Sequence, residues 1–585
     1  MTAQSASSSA LFLGLDCSTQ SLKASLLSAS LELVAEAAIN FEAHLPHFGT
    51  RAGVHTAPGG QVHSPAALLL EAFDMLFEKI KAEQWNLSDV RGVSASGQQH
   101  ATVYWTHGSS DLLAGLDASQ PLASQLRAAF SRDVIPNWQD ASSGSECAAF
   151  EAAVGGAEAL ARITGSSSHT RFSGPQIMRF RSSDPKAWAA TGHIGLVSSA
   201  LTTLLTQAHQ GIDESDACGM NLWDLSTPQR GWNATLLETT AGSADEAARL
   251  AKMLGPVESD AGRVVGTIGA WFVERYGFSK ECIVCPGTGD NPATFLSFAL
   301  PPQHAVLSMG TSDTVLTSSD AYVPDVNTHT FVHPGLCAPP NAGELEAGLR
   351  REGDGHDAAV RYMTMLCYKN GSLAREAVRD ELGGGWAEFD KAVLDAREAA
   401  AGVPKRAAWY WRMPEIIPKG AHGTVRYELA AHGEASRVES FPDSIDALAI
   451  LEQQFLSYRF RTAQISAPGT PAASVPPLLA VHAVGGASNN AAIRTVAADA
   501  LGAPILRAKQ AGNACSMGAA YKACWAWTRH SQQRWVPFDT CVREARAQED
   551  YEVVARPEER HAKRYTAALE AWAELEKRAV QEAKA

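Results

Sequence analysis

Residues 11–28, LFLGLDCSTQSLKASLLS, place a polar turn between two apolar segments. Residues 11–15 have the length and composition of a buried strand, and residues 22–27 predict a second strand, so we expect a hairpin. Most hairpin tips are Asn-Gly or Gly-rich and face water. This tip instead carries a carboxylate and two hydroxyls, Asp16, Ser18 and Thr19. It is either an ordinary polar turn or a phosphate-binding turn beside a metal-binding acid.

A second stretch, HAVLSMGTSDTVLTS at 304–318, repeats the same plan of apolar strand, hydroxyl-rich turn and apolar strand. Its turn contains Gly310 and Thr311. Two such hairpins indicate either a duplicated domain, with one hairpin in each half, or a chance similarity. If the two turns face each other across a cleft, their N–H groups and hydroxyls would reach a bound nucleoside triphosphate from opposite sides.

Short apolar strands alternate with helical stretches along the chain, which predicts an α/β architecture. At 585 residues the chain exceeds what one hydrophobic core usually supports, so we expect two domains. Pro and Gly punctuate the stretch CPGTGDNPA, and a boundary there gives domains at 1–285 and 286–585. Ser64 is expected to cap a helix with Pro65 in its first turn, and IGLVSSA, 194–200, is expected to be a strand.

Composition and charge exclude several classes of protein. The chain has 45% hydrophobic and 19% charged residues, a formal net charge of −14 and no stretch dense in Lys and Arg. This balance argues against a nucleic-acid or anionic-membrane binder.

Cys282 and Cys285 form the only CxxC, and the Ile-Val between them indicates buried thiols in a strand. With no apolar segment of membrane-spanning length and no basic leader region, we expect a cytoplasmic protein.

The stretch LLAVHAVGGASNNAAIRTVAADALG runs from a strand through Gly485 and Gly486 into a helix. Glycines let the backbone approach a ligand closely, and the helix N-terminus adds a partial positive charge. Asn489 and Asn490 lie at the same junction. The alternative is an ordinary strand-to-helix turn, in which two glycines are common. The chain has no G-x-x-x-x-G-K-[ST] and no G-x-G-x-x-G after a strand, so P-loop and Rossmann sites are disfavoured.

Two further stretches carry side chains suited to a small polar ligand. In PGTGDNPATFLSFAL, Asp290 and Asn291 stand before an apolar helix, where either could be a cap or where Asp290 could accept a proton from a hydroxyl. In SGQQHATVYW, three polar residues follow a strand, and SHTRFSGPQIMRF adds a guanidinium. These residues are Gln98, Gln99, His100 and Arg171. Amides, an imidazole and a guanidinium provide the directional hydrogen bonds of a polyol site, although a structural role is equally open.

Taken together, the motifs resemble those of the FGGY carbohydrate kinases, and within them most closely the eukaryotic-type xylulose kinase subfamily. The matching stretches run in family order from about residue 11 to 525 and include GLDCSTQSLK, GVSASGQQHATVYW, PNWQDASS, TRFSGPQIMRF, DESDACGMNLWDL, GTGDNPAT, LSMGTSDTVL, YKNGSLAREAVRDE and VGGASNNAAI. The resemblance implies two actin-like, RNase H-like ATPase domains with a cleft between them. It also implies ATP and Mg²⁺, and phosphorylation of the D-xylulose 5-hydroxyl.

The resemblance also assigns roles to residues. Asp290 would be the general base, and Asp16 would position the metal. The ketose would be contacted by Gln98, Gln99, His100, Arg171, Asp290 and Asn291. The nucleotide would lie against Ser18, Thr19, Gly310, Thr311, Trp386, Gly485, Gly486 and Asn489 or Asn490.

Alternatives remain open at this stage. Another polyol or ketose, such as glycerol, ribulose or gluconate, would use the same nucleotide motifs. An actin-like fold without enzymatic activity, acting as a nucleotide switch, is the alternative from another class. The stretch 341–360 has the composition of a polar insertion, and no motif is evident after about residue 530. The sequence does not predict an oligomeric state.

Overall fold

The computed structural model describes residues 10–335, 362–400, 405–430, 434–441, 444–509, 512–546 and 551–583. The proposed insertion at 341–360 lies outside these described residues.

The strands divide into two successive sets along the chain. The first set comprises β1 (Leu11–Cys17), β2 (Ser21–Leu27), β3 (Leu33–Asn40), β4 (His55–Ala57), β5 (Gln61–Pro65), β6 (Val90–Gly97), β7 (Thr102–Thr106), β8 (Val134–Pro136), β9 (Thr191–Leu196), β10 (Ile212–Asp213), β11 (Trp223–Asp224), β12 (Gly231–Trp232), β13 (Val257–Glu258), β14 (Gly266–Thr267), β15 (Ile283–Val284) and β16 (Thr288–Gly289). The second comprises β17 (His304–Met309), β18 (Asp313–Ser319), β19 (His329–Val332), β20 (Tyr362–Tyr368), β21 (Arg406–Trp411), β22 (Gly423–Leu429), β23 (Ala435–Val438), β24 (Ala480–Val484), β25 (Ile505–Ala508) and β26 (Tyr551–Ala555).

Helices are interspersed with these strands. They are α1 (Phe41–His44), α2 (Ala66–Ala82), α3 (Ser109–Ala114), α4 (Leu122–Leu126), α5 (Gly144–Val154), α6 (Ala157–Thr164), α7 (Ser173–Ser183), α8 (Pro185–Ala190), α9 (Val197–Thr206), α10 (Glu214–Ala217), α11 (Ala234–Ala241), α12 (Ala244–Leu254), α13 (Ala270–Tyr276), α14 (Asp290–Phe298), α15 (Ser372–Glu381), α16 (Trp386–Ala399), α17 (Asp446–Ser466), α18 (Ala491–Leu501), α19 (Ala514–Gln532), α20 (Phe538–Ala545) and α21 (Glu559–Ala583).

The two large sheets share one strand order. The first is ordered β14-β15-β6-β1-β2-β3, and the second contains β26-β25-β24-β17-β18-β20, with β19 beyond β20. In each sheet an antiparallel hairpin (β1-β2 or β17-β18) is followed by a parallel strand on its other side (β6 or β24). The two similar hairpin sequences therefore occupy equivalent places in two similar sheets, as a duplicated domain requires.

Helix α19 packs on the first sheet although it comes late in the chain. A Cβ on Gly14 of β1 would lie 1.8 Å from the Ser516 carbonyl oxygen, and one on Gly92 of β6 would lie 2.9 Å from that of Ala523. On another side of α19, a Cβ on Gly518 would lie 1.8 Å from the Ala293 carbonyl oxygen of α14. Glycines at these contacts allow the backbones to approach closely. Helix α19 is thereby fixed against both β1 and α14.

The division of the chain at residue 285 stays a prediction. Strand β16 still pairs with β6 in the first sheet, whereas β17 begins the second sheet. The stretch after residue 530, for which the sequence offered no motif, completes the second half. Strand β26 pairs with β25, and Tyr565, Leu569 and Trp572 of α21 are buried in the core with α17 and α18.

Two local predictions were wrong. Helix α2 begins at Ala66 with Pro65 as its N-cap residue, and the Ser64 hydroxyl instead donates to the Gly53 carbonyl at 2.8 Å. The stretch 194–200 is a strand only as far as Leu196. Helix α9 begins at Val197, where the Ser199 Oγ accepts a hydrogen bond from the Leu196 N–H at 2.9 Å and caps the helix.

The cysteines and the helices bear on two further predictions. Cys282 and Cys285 are buried and free, as expected from the Ile-Val between them. Among the described helices, none combines the length and apolar character needed to cross a bilayer.

Candidate active site

Asp16 lies near the end of β1 and is fully buried. Its Oδ1 accepts a hydrogen bond from the Ser96 Oγ at 3.0 Å, its Oδ2 accepts one from the Ser18 Oγ, and the Lys23 Nζ lies 4.0 Å from Oδ2. Burial raises the pKa of Asp16, against the opposing effects of the two hydroxyls and the ammonium. The carboxylate of Asp16, beside the predicted turn, is therefore not fully stabilised in its ionised form by its neighbours.

Asp290 is the first residue of α14, and Gly289 occupies the N-cap position. Its Oδ1 accepts hydrogen bonds from the Asn291 backbone N–H at 2.8 Å and from the Asn291 Nδ2 at 3.1 Å. Burial raises the pKa of Asp290 to about 7, and the negative charge of Asp16 contributes to the increase. A carboxylate whose pKa lies near neutrality is suited to accept a proton from a substrate hydroxyl.

The pair Asp16 and Asp290 also fits a divalent cation. Two neighbouring carboxylates in a buried site destabilise each other's ionised form, and a cation held beside them would relieve this. Mg²⁺ prefers oxygen ligands and is usually bound through one or two carboxylates together with water and phosphate oxygens. The donor set present here is of that kind.

The three polar residues after β6 are buried and hydrogen-bonded, and one of them, Gln99, bonds to Asn291. The Asn291 Nδ2 donates to the Gln99 Oε1 at 3.0 Å, and the Asn137 Nδ2 donates to the Gln98 Oε1 at 2.5 Å. His100 has a positive φ of 69°, which is uncommon for a residue with a Cβ, and its Nδ1 lies 2.7 Å from the Gly219 carbonyl oxygen. Burial, with the Arg171 charge, lowers the pKa of His100 to about 3, so Nδ1 of the neutral ring donates to that carbonyl.

Arg171 lies beside His100 but is not paired with an acid. Its Nη2 lies 2.9 Å from the Nε2 of His329, and its guanidinium carbon lies 5.5 Å from the centre of the Phe172 ring. Over the described part of the chain, no carboxylate forms an ion pair with Arg171. Burial lowers the pKa of this guanidinium. Its remaining donors face none of the described carboxylates in an ion pair and are suited to ligand oxygens.

Two buried polar atoms beside Asp290 lack partners in the described structure. These atoms are the Gln99 Nε2 and the Asp216 Oδ1. Each lies 2.9 Å from the point that a Cβ on Gly289 would occupy. Because residue 289 is a glycine, the space between the two atoms is not filled by a side chain. Unsatisfied buried polar groups are costly, which makes this place next to Asp290 suited to a polar ligand.

Replacing Asp216 with Asn is expected to change how stability depends on pH. Burial, with the charges of Asp213 and Asp290, raises the pKa of Asp216 to about 8. The folded protein thus keeps a proton on Asp216 that the unfolded chain releases above about pH 4, so the contribution of Asp216 to wild-type stability falls as pH rises between these values. The stability of Asp216→Asn relative to wild type should therefore increase by about 1.4 kcal/mol per pH unit between about pH 5 and 7.5.

Urea denaturation of both proteins at several pH values in this window measures that difference. The Ser198 Oγ donates to the Asp216 Oδ2, and an Asn side chain can still accept this hydrogen bond. A difference in unfolding free energy that does not vary with pH would contradict the prediction.

The turn of the second hairpin lies beside the loop that follows β24. We call this loop, which contains Gly485 and Gly486, the glycine loop. The Gly310 carbonyl accepts a hydrogen bond from the Ser372 N–H at 3.0 Å, and Thr311 is exposed. Gly485 has a φ of +86°, and a Cβ there would lie 2.4 Å from the Met309 carbonyl oxygen. Only glycine fits so close to the hairpin with this backbone conformation. Gly486 follows it and is also exposed.

Trp386 and the two asparagines flank this loop. Asn490 caps α18 by accepting a hydrogen bond from the Ile493 N–H, and its Nδ2 donates to the Asp390 Oδ1 of α16 at 2.6 Å. Trp386, the first residue of α16, is 36% exposed beneath the guanidinium of Arg379. Asn489 is exposed. The bond between Asn490 and Asp390 therefore ties the glycine loop to the helix that carries Trp386.

The N-terminal end of α19 lies against the first hairpin, against α14 and beside the loop of Gly485 and Gly486. The Ser516 Oγ lies 2.7 Å from the Ser25 Oγ of the first hairpin, and the Cys515 Sγ lies 3.2 Å from the Thr294 Oγ1 of α14. Met517 lines a cavity of about 300 Å³ together with Gly485 and Asn489. The end of α19 therefore stands between the carboxylates and the glycine loop.

The structure brings most of the expected residues into two neighbouring groups. The first group contains Asp16, Ser18, Gln98, Gln99, His100, Arg171, Asp290 and Asn291, and the second contains Gly310, Trp386, Gly485, Gly486, Asn489 and Asn490. Thr19 lies at the edge of the first group, where its Oγ1 accepts a hydrogen bond from the Nε1 of Trp138, and Thr311 lies in the turn after Gly310. Their individual roles stay predictions.

Sequence reasoning did not single out Asp216, His329 or Lys522. Asp216 lies within DESDACGMNLWDL, a stretch that supports the family resemblance only as a whole. His329 is part of a strand without a motif, and Lys522 is a single charged residue in the mostly apolar stretch 514–527 of α19, so neither has a local signal.

Comparison with known proteins gives consistent matches along the chain. The N-terminal domain model of the FGGY family of carbohydrate kinases matches residues 132–297, and the C-terminal domain model matches residues 305–527. Probable D-xylulose kinase A of Aspergillus flavus is 38% identical over 587 residues, covering 97% of this chain and 97% of that protein.

Solved structures resemble the whole chain in fold. Xylulose kinase from Rhodospirillum rubrum matches with a TM-score of 0.71 at 17% identity, covering 98% of this chain and 100% of that one. Plasmodium falciparum glycerol kinase with ADP matches with a TM-score of 0.69 at 14% identity, covering 97% and 98%. The expected α/β fold with two kinase domains is therefore confirmed.

Proposed function

This chain belongs to the FGGY family of carbohydrate kinases, and we propose that it transfers the γ-phosphate of ATP to the 5-hydroxyl of D-xylulose. The observation that carries the choice of substrate is the 38% identity, over nearly the full length of both chains, with a protein named probable D-xylulose kinase A. The buried amides and Arg171, which forms no ion pair with a described carboxylate, support a polyhydroxylated ligand beside Asp290.

In the proposed reaction the 5-hydroxyl oxygen of the ketose forms a bond to the γ-phosphorus, and the bond from that phosphorus to the β,γ-bridging oxygen breaks. The hydroxyl proton passes to the carboxylate of Asp290, and ADP leaves with the bonding electron pair. Phosphoryl transfer depends mainly on positioning and on neutralising the charge of the phosphates. The Asn291 donors hold the Asp290 carboxylate in one orientation.

The nucleotide would lie between the two hairpins. Ser18, Thr19, Gly310 and Thr311 would contact the phosphates, and Trp386, Gly485, Gly486, Asn489 and Asn490 would surround the adenosine. Asp16 would hold Mg²⁺, directly or through water, and the bound ion would neutralise phosphate charge. Gln98, Gln99, His100, Arg171 and Asn291 would bind the ketose. The nine cysteines that the structure describes are free, which is compatible with the cytoplasmic location that we also propose.

Arg171→Ala is expected to weaken ketose binding far more than nucleotide binding. Hydrogen bonds from a charged donor contribute about 1.5–3 kcal/mol, so KM for D-xylulose should rise roughly ten- to hundredfold. KM for ATP should stay near the wild-type value, because Arg171 lies with the amide cluster rather than with the glycine loop. Steady-state kinetics with each substrate varied in turn measure both constants.

Arg127→Ala is a matched control, since it removes an exposed guanidinium that pairs with Glu71 at the surface. It should leave both constants unchanged. Equal losses for ketose and ATP in Arg171→Ala would show that Arg171 acts through the fold.

The proposed function itself is tested by a coupled assay of ADP formation with D-xylulose, D-ribulose, gluconate and glycerol. We expect the highest kcat/KM with D-xylulose. A preference for another member of the panel would correct the substrate and keep the reaction class. If calorimetry shows that the protein binds ATP but no pentulose, and the assay shows no turnover, the result would instead support a nucleotide switch.

A further inference from the structure

Arg171 is held by a histidine from the other half of the chain. His329 is the first residue of β19 in the second sheet and is only 2% exposed. Its Nε2 accepts a hydrogen bond from the Nη2 of Arg171 at 2.9 Å. Neither a sequence motif nor the proposed reaction has so far required this residue.

The chemistry of the two groups fixes the protonation of the imidazole. A guanidinium has only donors, so the His329 Nε2 must be the acceptor. The neutral ring then carries its hydrogen on Nδ1, which donates to the Ser166 Oγ at 3.0 Å. The rings of His169 and Phe172 pack against the imidazole, with centroids at 4.6 and 5.3 Å. His329 therefore offers one oriented lone pair, and it is directed at Arg171.

The strand that carries His329 is fastened to the segment that carries Arg171. The Thr330 N–H donates to the Gly165 carbonyl at 2.9 Å, and the Ser167 Oγ donates to the Val326 carbonyl at 2.9 Å. The hydrogen bond between His329 and Arg171 thus belongs to a seam that joins residues 165–171 to the second sheet.

We propose that His329 is a positioning residue for ketose recognition, which orients the guanidinium of Arg171 by accepting its Nη2 hydrogen. This inference rests on the proposed function, because it takes Arg171 to be a ketose contact. The second half of the chain would then determine the geometry of a sugar-binding group that the first half supplies. The alternative is that His329 only fills space among His169, Phe172 and Phe331.

Two substitutions separate orientation from packing. His329→Phe keeps a planar ring but has no acceptor, whereas His329→Gln places an amide oxygen near the position of Nε2. We expect KM for D-xylulose to rise about tenfold or more in His329→Phe, while KM for ATP stays within about twofold of wild type. His329→Gln should recover most of the loss. Ketose titration by calorimetry without nucleotide should give the same order of affinities.

His561→Phe is a matched control, because it removes another buried histidine, 1% exposed, from α21. It should change neither constant. If His329→Phe does not fold, His329→Asn takes its place, since its amide oxygen does not reach the Nε2 position.

Each outcome decides the proposal. A wild-type KM for D-xylulose in the Phe or Asn variant would overturn it, as would equal losses in His329→Phe and His329→Gln. A wild-type protein that neither binds nor phosphorylates a pentulose would overturn the proposed function together with this inference. Active wild-type enzyme with an unaffected Phe variant would overturn only the role of His329.

Discussion

Replacing Asp290 with Asn is expected to lower kcat for D-xylulose phosphorylation by about 10²–10⁴-fold. The amide has nearly the same shape and can still accept the hydrogen bonds from Asn291, but it cannot take the proton of the attacking hydroxyl. The Kd for ATP should stay within a few-fold of wild type, because the residues proposed to hold the nucleotide are unchanged. Rapid-quench kinetics and nucleotide titration measure the two quantities.

Asp395→Asn is a suitable control, since this carboxylate lies on the exposed face of α16 in an ion pair with Lys391. It should retain normal turnover. Near-normal kcat in purified Asp290→Asn would show that another group takes the proton, and would withdraw the assignment of Asp290 as general base.

Replacing Lys522 with Met is expected to destabilise the fold by about 3–5 kcal/mol. Lys522 of α19 is fully buried, and its Nζ lies 2.7 Å from the Asp213 Oδ2 in the first half. The Asp213 Oδ1 accepts a hydrogen bond from the Thr288 Oγ1 at 3.0 Å. Removing the ammonium leaves a buried carboxylate without its counter-charge, which costs more than the pair contributes. Urea denaturation measures the loss.

The double variant Lys522→Met with Asp213→Asn should recover much of this stability, because it removes both charges together. Lys391→Met, which breaks an exposed ion pair on α16, should change stability by less than about 1 kcal/mol. If Lys522→Met loses no more than Lys391→Met, the buried pair has no special role in joining the halves.

Much of the fold and of the candidate site could be predicted from the sequence because the relevant signals are local. Each hairpin is recognisable in the sequence as an apolar strand followed by a turn rich in hydroxyl residues. In the structure the two hairpins occupy equivalent places in two sheets that share one strand order. Gly485 marks a turn whose backbone conformation and close contact with Met309 require glycine. Such patterns can be read from the sequence because they depend mainly on residues that are close together along the chain.

What could not be predicted depends on partners that are distant in sequence. Ser64 fails as a cap because its hydroxyl meets the Gly53 carbonyl, a contact set by tertiary structure. The pKa of Asp216 is raised mainly by burial, which depends on the tertiary structure, and partly by the charges of Asp213 and of the distant Asp290. Lys522 pairs with Asp213, and His329 accepts a hydrogen bond from Arg171. Nothing near Lys522 or His329 in the sequence indicates these partners.

The packing of α19 on β1 has a consequence for how the polypeptide is made. At about 5–20 residues per second, a ribosome that has finished the first strands needs roughly half a minute or more to reach residues 514–532. During that time the apolar face of the first sheet that α19 covers lacks this helix, and exposed apolar surface favours aggregation. Docking of α19 completes that face and brings Cys515 close to Asp16 and Asp290. Residues 514–532 must therefore be synthesised before the candidate active site can form.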